Sequence, residues 1–234
     1  MKEFNYHGVK IQIPEKNYTF QKNVPTYDRL SNGSYEKEEI ILMEKIINED
    51  SIVLDLGASI GVLSCVINNL MVDKSKMVSV EANPDLYDTL ENNRDINNLE
   101  FSIFNGAGSS TNKEVEFNFN GLSLSGSLMR KDWLESDEWG EYKSIKMETV
   151  TPIDLEEKYN MKFNTLSCDI EGEEHTLLSD LFDYFSEYKY LVVEFHQWAE
   201  KDITMKDIEN LYSEKFNIDR SGSTILFSNK KLII

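Results

Sequence analysis

Two periods of apolar residues alternate along this chain, and their order fixes the expected fold class. Val9, Ile11 and Ile13 recur at every second position and Pro14 ends the run, so a short strand is predicted inside an N-terminal extension of residues 1–34. Helical spacing then takes over. Ser34 opens a helix predicted to reach about Asn48, with Glu36, Glu38 and Glu39 at its positive end and Ile40, Met43, Ile46 and Ile47 on one face. From Ile52 the two patterns repeat in turn: strands over 52–56, 77–81 and 101–105, and helices over 61–71 and 84–97, the second started by Asn83-Pro84.

Residues 106–150 break this rhythm with an alternating piece, Val115 to Phe119, and the Gly/Ser-rich stretch 121–127. Long irregular insertions in compact domains are usually functional or disordered. Thr151-Pro152-Ile153-Asp154 then opens a helix with a capping-box acid, followed by a strand over 164–169 and a helix over 173–187 that carries Leu177, Leu178, Leu181, Phe182 and Phe185 on one side. Strand 190–195 is almost wholly apolar, as a strand buried on both faces must be. A helix capped by Thr204 and Asp207 bears Ile208, Leu211 and Tyr212, and two short strands near 216–219 and 223–228 close the chain. The pattern predicts an α/β, doubly wound, mostly parallel sheet with helices on both faces. It reads as one domain: residues 1–50 pack on the core as an extension, and 51–234 form the body, with 106–150 inserted on the substrate side.

Chemistry concentrates at the ends of the predicted strands, where open α/β sheets bind ligands. Val53-Leu54-Asp55-Leu56-Gly57-Ala58-Ser59-Ile60-Gly61 runs from an apolar strand through a glycine-punctuated turn into a helix. Glycines at such a turn let backbone approach a ligand. The spacing is D-x-G-x-x-x-G and not the G-x-G-x-x-G of a dinucleotide fold: Asp55 would repel a pyrophosphate, and Ser59 replaces the glycine that admits one. An acid there suits a cofactor with an ammonium and a sulfonium, S-adenosylmethionine. Glu81 closes the second strand at the interval where an acid accepts hydrogen bonds from both ribose hydroxyls. The expected cofactor set is therefore Glu36, Asp55, Gly57, Ala58, Ser59, Gly61, Glu81, Ala82, Asn83, Asn105 and Gly106, with Asn105 either reading an adenine edge or serving as a turn residue. Asp169, Glu171 and His196 at the fourth and fifth strand ends are the expected catalytic groups, because methylating a hydroxyl requires its proton to be removed or its oxygen to be held on a metal. Together with Glu194 they also form a candidate set for a hard divalent cation, although no strict metal-ligand spacing is present.

Charge narrows the partners. The 234 residues carry 42 acidic against 24 basic side chains, a formal net charge of −18, and no local Lys/Arg cluster. Phosphate contacts dominate nucleic-acid affinity, so a polyanionic partner is disfavoured and a small hydroxylated substrate is expected. Cys65 and Cys168 lie in apolar segments and read as core thiols, and the first residues hold no apolar signal region, so a cytoplasmic protein with no membrane partner is expected.

Four runs carry a resemblance: VLDLGASIGVLS (53–64), VEANPDLYDTLENN (80–93), LSCDIEGEEHTLL (166–178) and LVVEFH (191–196). With Gly33-Ser34-Tyr35-Glu36 and Glu148 to Leu155 they make the chain similar, over about residues 31–198, to the FkbM family of S-adenosylmethionine-dependent methyltransferases. The resemblance implies a Rossmann-like seven-stranded sheet with an antiparallel last strand, and O-methylation of sugars or other hydroxylated small molecules. It makes Glu36 a candidate for the methionyl end of the cofactor. Ser167 stands where the family very often has lysine, so no lysine role carries over. The competing readings are a non-catalytic interaction module that retains the cofactor fold, a methyltransferase acting on a nitrogen or peptide acceptor, and a nicotinamide enzyme, the last disfavoured by the missing middle glycine.

Overall fold

A computed structural model describes residues 1–14, 26–120, 126–127, 142–199 and 202–233. The chain opens with a hairpin, β1 (Lys2–Tyr6) and β2 (Val9–Ile13), turned by His7 and Gly8 at φ 45° and 84°. Helices α1 (Thr26–Asn32) and α2 (Lys37–Ile46) follow. The alternation begins with β3 (Val53–Leu56), α3 (Val62–Leu70), β4 (Met77–Glu81), α4 (Pro84–Ile96) and β5 (Ser102–Asn105). The inserted region gives β6 (Ala107–Gly108), β7 (Glu114–Asn120), β8 (Gly126–Ser127) and β9 (Tyr142–Val150). The chain then continues through α5 (Pro152–Tyr159), β10 (Thr165–Cys168), α6 (Glu174–Asp180), α7 (Phe182–Phe185), β11 (Tyr190–Glu194), α8 (Met205–Tyr212), β12 (Phe216–Ser221) and β13 (Thr224–Asn229).

Seven strands form the central sheet in the order β12-β13-β11-β10-β3-β4-β5. The pairs among β11, β10, β3, β4 and β5 are parallel, and β13 runs antiparallel to both of its neighbours. The expected Rossmann-like sheet with a reversed last strand is therefore present. Side chains alternate between two cores. Val53, Met77, Val192 and Leu226 face a core built with α2, α3, α4 and the N-terminal hairpin, whereas Leu54, Leu56, Val78, Val80, Leu191 and Val193 face one built with α5 to α8. Hydrogen bonds tie the N-terminal hairpin to the body. Asn93 of α4 and Asn97 at its C-cap accept from the backbone of Gln12 and Lys10 at 2.7 Å, which pairs edge groups of β2 that would otherwise be left open.

Several boundaries differ from the sequence expectation, each for a local reason. Besides the predicted strand at Val9–Ile13, the extension holds two elements that were not predicted, β1 and α1. Helix α2 starts at Lys37 and not at Ser34, because Glu36 adopts a left-handed conformation at φ 47° that cannot belong to an α-helix. The predicted helix 173–187 is broken at Leu181 into α6 and α7. Much of the expected irregular insertion is a second sheet, β6-β9-β7-β8, whose β7–β9 ladder runs from Glu114↔Glu148 to Asn120↔Tyr142. The Gly/Ser-rich residues 121–125 lie outside the described residues. Cys65 and Cys168 are buried free thiols. Among the described residues no helix is long and apolar enough to cross a membrane.

The crossing from β3 to α3 depends on Gly57, at φ 90°. A Cβ there would lie 1.6 Å from the carbonyl oxygen of Asp169 on the neighbouring strand end. Backbone cannot retreat as a flexible side chain can, so Gly57→Ala should cost at least about 3 kcal/mol through combined overlap and φ strain. Urea unfolding would register this as a lower midpoint, and an unchanged midpoint would show that the β10 end yields freely.

Candidate active site

The carboxyl ends of β3, β4, β10 and β11 open on one edge of the sheet, and the Tyr35-Glu36 turn closes over them from the N-terminal side. Two cavities lie there. The first is bordered by Gly57 and Ser59, Glu81 and Ala82, Gly106 and Phe117. The second, of about 350 Å³, is bordered by Arg29, Glu38, Glu39, Glu194, His196 and Thr224. Tyr35, Glu36, Asp169 and Glu171 border both, so the two spaces meet at a shared wall of acids.

The expected cofactor residues divide by position. Gly57, Ser59, Glu81, Ala82, Gly106 and Glu36 line the first cavity. Glu81 is fixed from both sides: the backbone N–H groups of Ser59 and Asn83 donate to its two carboxylate oxygens, each at 2.6 Å. Burial raises its carboxyl to about 7 despite those hydrogen bonds. Each oxygen keeps acceptor capacity toward the cavity.

Asp55 behaves differently from the expectation. It is only 2% exposed. It accepts from Ser64 Oγ at 2.5 Å and Ser79 Oγ at 3.3 Å, with the Ser167 hydroxyl also bonded to it. Its carboxylate ties three elements together beneath the first cavity and does not line it. Gly61 is held by packing, since a Cβ there would meet Leu90 Cδ1 at 2.4 Å. Ala58 donates its N–H to the Val80 carbonyl, and Asn83 caps α4 through Asp85 N. Asn105, at the end of β5, donates its amide to the Glu81 carbonyl of the neighbouring strand at 3.0 Å. None of Ala58, Gly61, Asn83 and Asn105 borders the first cavity.

Glu36 carries a signal that its sequence position only hinted at. Its left-handed backbone turns the side chain inward, and Oε2 is buried with no hydrogen-bond partner. Burial first, then Glu39, Asp55 and Glu194, push its carboxyl well above the usual range. Tyr6 Oη donates to the Tyr35 carbonyl at 2.5 Å and so pins this turn to the N-terminal hairpin.

Asp169, Glu171 and His196 do converge. His196 Nε2 lies 3.8 Å from Asp169 Oδ1 and 3.4 Å from Glu171 Oε2. On the other side of the ring, Nδ1 lies 3.0 Å from Glu174 Oε1. Glu174, fully buried, was not among the expected site residues. It also accepts the N–H groups of Ile170 at 3.1 Å and Gly172 at 3.0 Å, and these hold Glu171 in its left-handed conformation at φ 53°. The spacing D-x-E-G-x-E was the available signal, but an acid in the first turn of a helix also reads as a dipole complement. Arg29, Tyr35, Glu39 and Thr224 were missed as well. Glu39 is hydrogen-bonded by Thr224 Oγ1, and Glu194 by Ser223 Oγ at 3.0 Å.

Burial alone would lower His196, but the hydrogen bond and charge of Glu174, then the charges of Asp169 and Glu171, raise it to about 10. Asp169 is pushed well above the carboxylate range by burial, then by Glu171 and Glu194.

A seven-stranded sheet with one reversed strand, and a ligand-sized opening at its strand ends, defines a Rossmann-like α/β protein. The chain belongs to the FkbM methyltransferase family, whose domain matches residues 55–216, and it is accordingly a methyltransferase. Among curated proteins it is 24% identical over 185 residues to the hexuronic acid methyltransferase AglP of Haloferax volcanii, covering 76% of this chain and 68% of that one. Solved structures similar to it include an rRNA methylase of Streptococcus thermophilus, with TM-score 0.48, 6% identity and coverage of 82% and 95% of the two chains. Another is a tRNA (uracil-54, C5)-methyltransferase of Pyrococcus abyssi in complex with S-adenosyl-L-homocysteine, with TM-score 0.44, 10% identity and coverage of 84% and 38%.

The raised His196 makes the site pH-sensitive in a defined direction. A folded value above the ordinary 6.5 contributes stability that is complete below 6.5 and disappears as pH rises through about 10. The stability gap between wild type and His196→Gln should therefore narrow steadily across that window. A gap that is flat from neutral to alkaline pH, or a ring that titrates near 6.5 by NMR, would contradict the assignment.

Proposed function

We propose that the chain transfers a methyl group from S-adenosylmethionine to a hydroxyl of a small molecule, a sugar or glycosylated metabolite. The observation that carries this reading is the shared wall, where Glu36 presents a buried oxygen with no hydrogen-bond partner at the place the two cavities meet. Buried carboxylate oxygens without partners are costly, and a ligand with positive charge removes that cost. The donor set fits the cofactor. Glu81 would take the ribose hydroxyls, Glu36 the ammonium, and Gly57, Ser59, Ala82 and Gly106 leave space for the nucleoside. Bound there, S-adenosylmethionine supplies a methyl group activated on its sulfonium.

The remaining steps belong to the chain. Asp169, Glu171 and His196 would receive the acceptor hydroxyl at the edge of the second cavity, where the proton must leave and negative charge must be held as the oxygen is methylated. Glu174 would keep His196 oriented, and the Tyr35-Glu36 turn would separate the cavities from bulk water. The relative that methylates a hexuronic acid supports a sugar as the acceptor class, as does the acidic surface, which disfavours nucleic acid.

A screen of hydroxylated acceptors, with mass detection of an added methyl, tests the reaction. Two variants separate binding from chemistry. Glu81→Ala should weaken S-adenosylhomocysteine binding tenfold or more, since hydrogen bonds to a charged group are worth roughly 1.5–3 kcal/mol each. Asp169→Asn should leave that affinity nearly intact and slow single-turnover transfer roughly 10²–10⁴-fold. Normal affinity in a folded Glu81→Ala would sink the ribose assignment, and normal turnover in Asp169→Asn would move the chemistry elsewhere.

A further inference from the structure

At the edge of the second cavity, His196 Nε2, Asp169 Oδ1 and Glu171 Oε2 all lie within 4.8 Å of one another. We propose that these three atoms bind a divalent cation of the magnesium–manganese class, and that the acceptor hydroxyl is presented to that ion. The proposal deepens the methyl-transfer reading, because it names what holds the acceptor oxygen.

Three observations carry it. The first is spacing. Donors bonded to one ion at about 2.1–2.4 Å stand roughly 3.0–3.4 Å apart at right angles and about 4.2–4.8 Å apart when opposite. The measured separations from Nε2, 3.4 Å to Glu171 and 3.8 Å to Asp169, fall between those limits. They are too long for a good hydrogen bond.

The second is an oxygen left without a partner. Asp169 Oδ1 is buried and accepts no hydrogen bond, although it faces the histidine. Its nearest cationic group is His196 Nε2 at 3.8 Å, too far to hydrogen-bond, and an ion held between the two atoms would satisfy the oxygen directly. The third is the ring's other side. A histidine that binds metal almost always gives its second N–H to a carboxylate or carbonyl, which fixes the tautomer and the ring plane. Here Nδ1 is held by Glu174 at 3.0 Å, and Glu174 in turn is anchored by Ile170 and Gly172 N–H groups. Nε2 is therefore the atom turned toward Asp169 and Glu171. Two carboxylates and one imidazole suit a hard or borderline cation, and no cysteine contributes to invite a softer one. Metal binding replaces the proton on Nε2. An ion at that place would also leave coordination positions open toward the cavity bordered by Glu194 and Thr224, which is where an acceptor with a hydroxyl would enter.

The test uses the full chain, stripped with chelator and titrated with MnCl₂ while the spectrum of free Mn²⁺ is followed by electron paramagnetic resonance. One ion per chain is expected to leave the free pool. Asp169→Asn, Glu171→Gln and His196→Gln should each weaken binding at least tenfold, and Glu174→Gln, which touches no ion, by roughly 10–100-fold. Circular dichroism identifies any variant that fails to fold, and the remaining variants carry the comparison. No loss of free Mn²⁺ at millimolar concentration would overturn the site. Binding that survives all three ligand substitutions would overturn it too. S-adenosylhomocysteine binding, measured calorimetrically on the same metal-free sample, keeps the two readings apart: cofactor binding without Mn²⁺ binding refutes the ion alone, and Mn²⁺ binding without cofactor binding refutes the methyl-donor reading.

Discussion

One buried carboxylate, that of Glu174, determines the geometry of the acceptor edge. It has no access to solvent, yet it gathers the N–H groups of Ile170 and Gly172 and the Nδ1 of His196. The loop it holds is locally unfavourable: Glu171 is a non-glycine residue at positive φ, followed by Gly172 at φ 116°. Three hydrogen bonds to a charged acceptor offset that strain. In doing so they turn Glu171 toward His196, and they bind the end of β10 to the end of β11. A buried charge of this kind stabilises little by itself, because desolvation opposes it, but removing one partner leaves the others uncompensated.

The same logic extends across the sheet edge. Asp55, Glu81, Glu36, Glu39, Asp169 and Glu194 crowd there, and most have carboxyls raised by burial and by one another. They sort by what satisfies them. Asp55 is paired by serine hydroxyls and belongs to the scaffold, whereas Glu81 is oriented by backbone N–H groups and still lines the first cavity. Glu36 and Asp169 each retain an oxygen that accepts no hydrogen bond, and both border the second cavity. Structural and ligand-directed acids thus differ in what satisfies their oxygens and not in residue type.

That distinction also marks what the sequence could reveal. The alternation of strands and helices was legible, because parallel strands buried on both faces read as short apolar runs such as Leu191-Val192-Val193. The convergence of Asp169, Glu171 and His196 was legible too, since strand ends of a parallel sheet share one edge. The satisfaction of Asp55 was not. Its partners Ser64 and Ser79 sit on a helix and a neighbouring strand, and only the folded sheet brings them to it. Gly57 and Gly61 were read as clearance for a ligand, whereas the tightest neighbours of their missing side chains are the Asp169 carbonyl and Leu90. Strand β1 and helix α1 escaped notice because each is short and its apolar spacing too sparse to register. The left-handed turn at Glu36, which aims that acid inward, is a tertiary feature: Tyr6, far away in sequence, holds it through the Tyr35 carbonyl. The reversal of β13 came only with the family resemblance, since a short apolar strand gives no sign of its direction.

The central claim is that a methyl donor lies in the first cavity and points its reactive end at the acid wall shared with the second. A crystal structure of the chain with S-adenosylhomocysteine tests this most directly. The expected result places the ribose hydroxyls on the Glu81 carboxylate, the ammonium beside Glu36, and the sulfur facing Asp169 and Glu171. A ligand bound away from Glu81, or one whose sulfur points away from the Asp169–His196 edge, would contradict it.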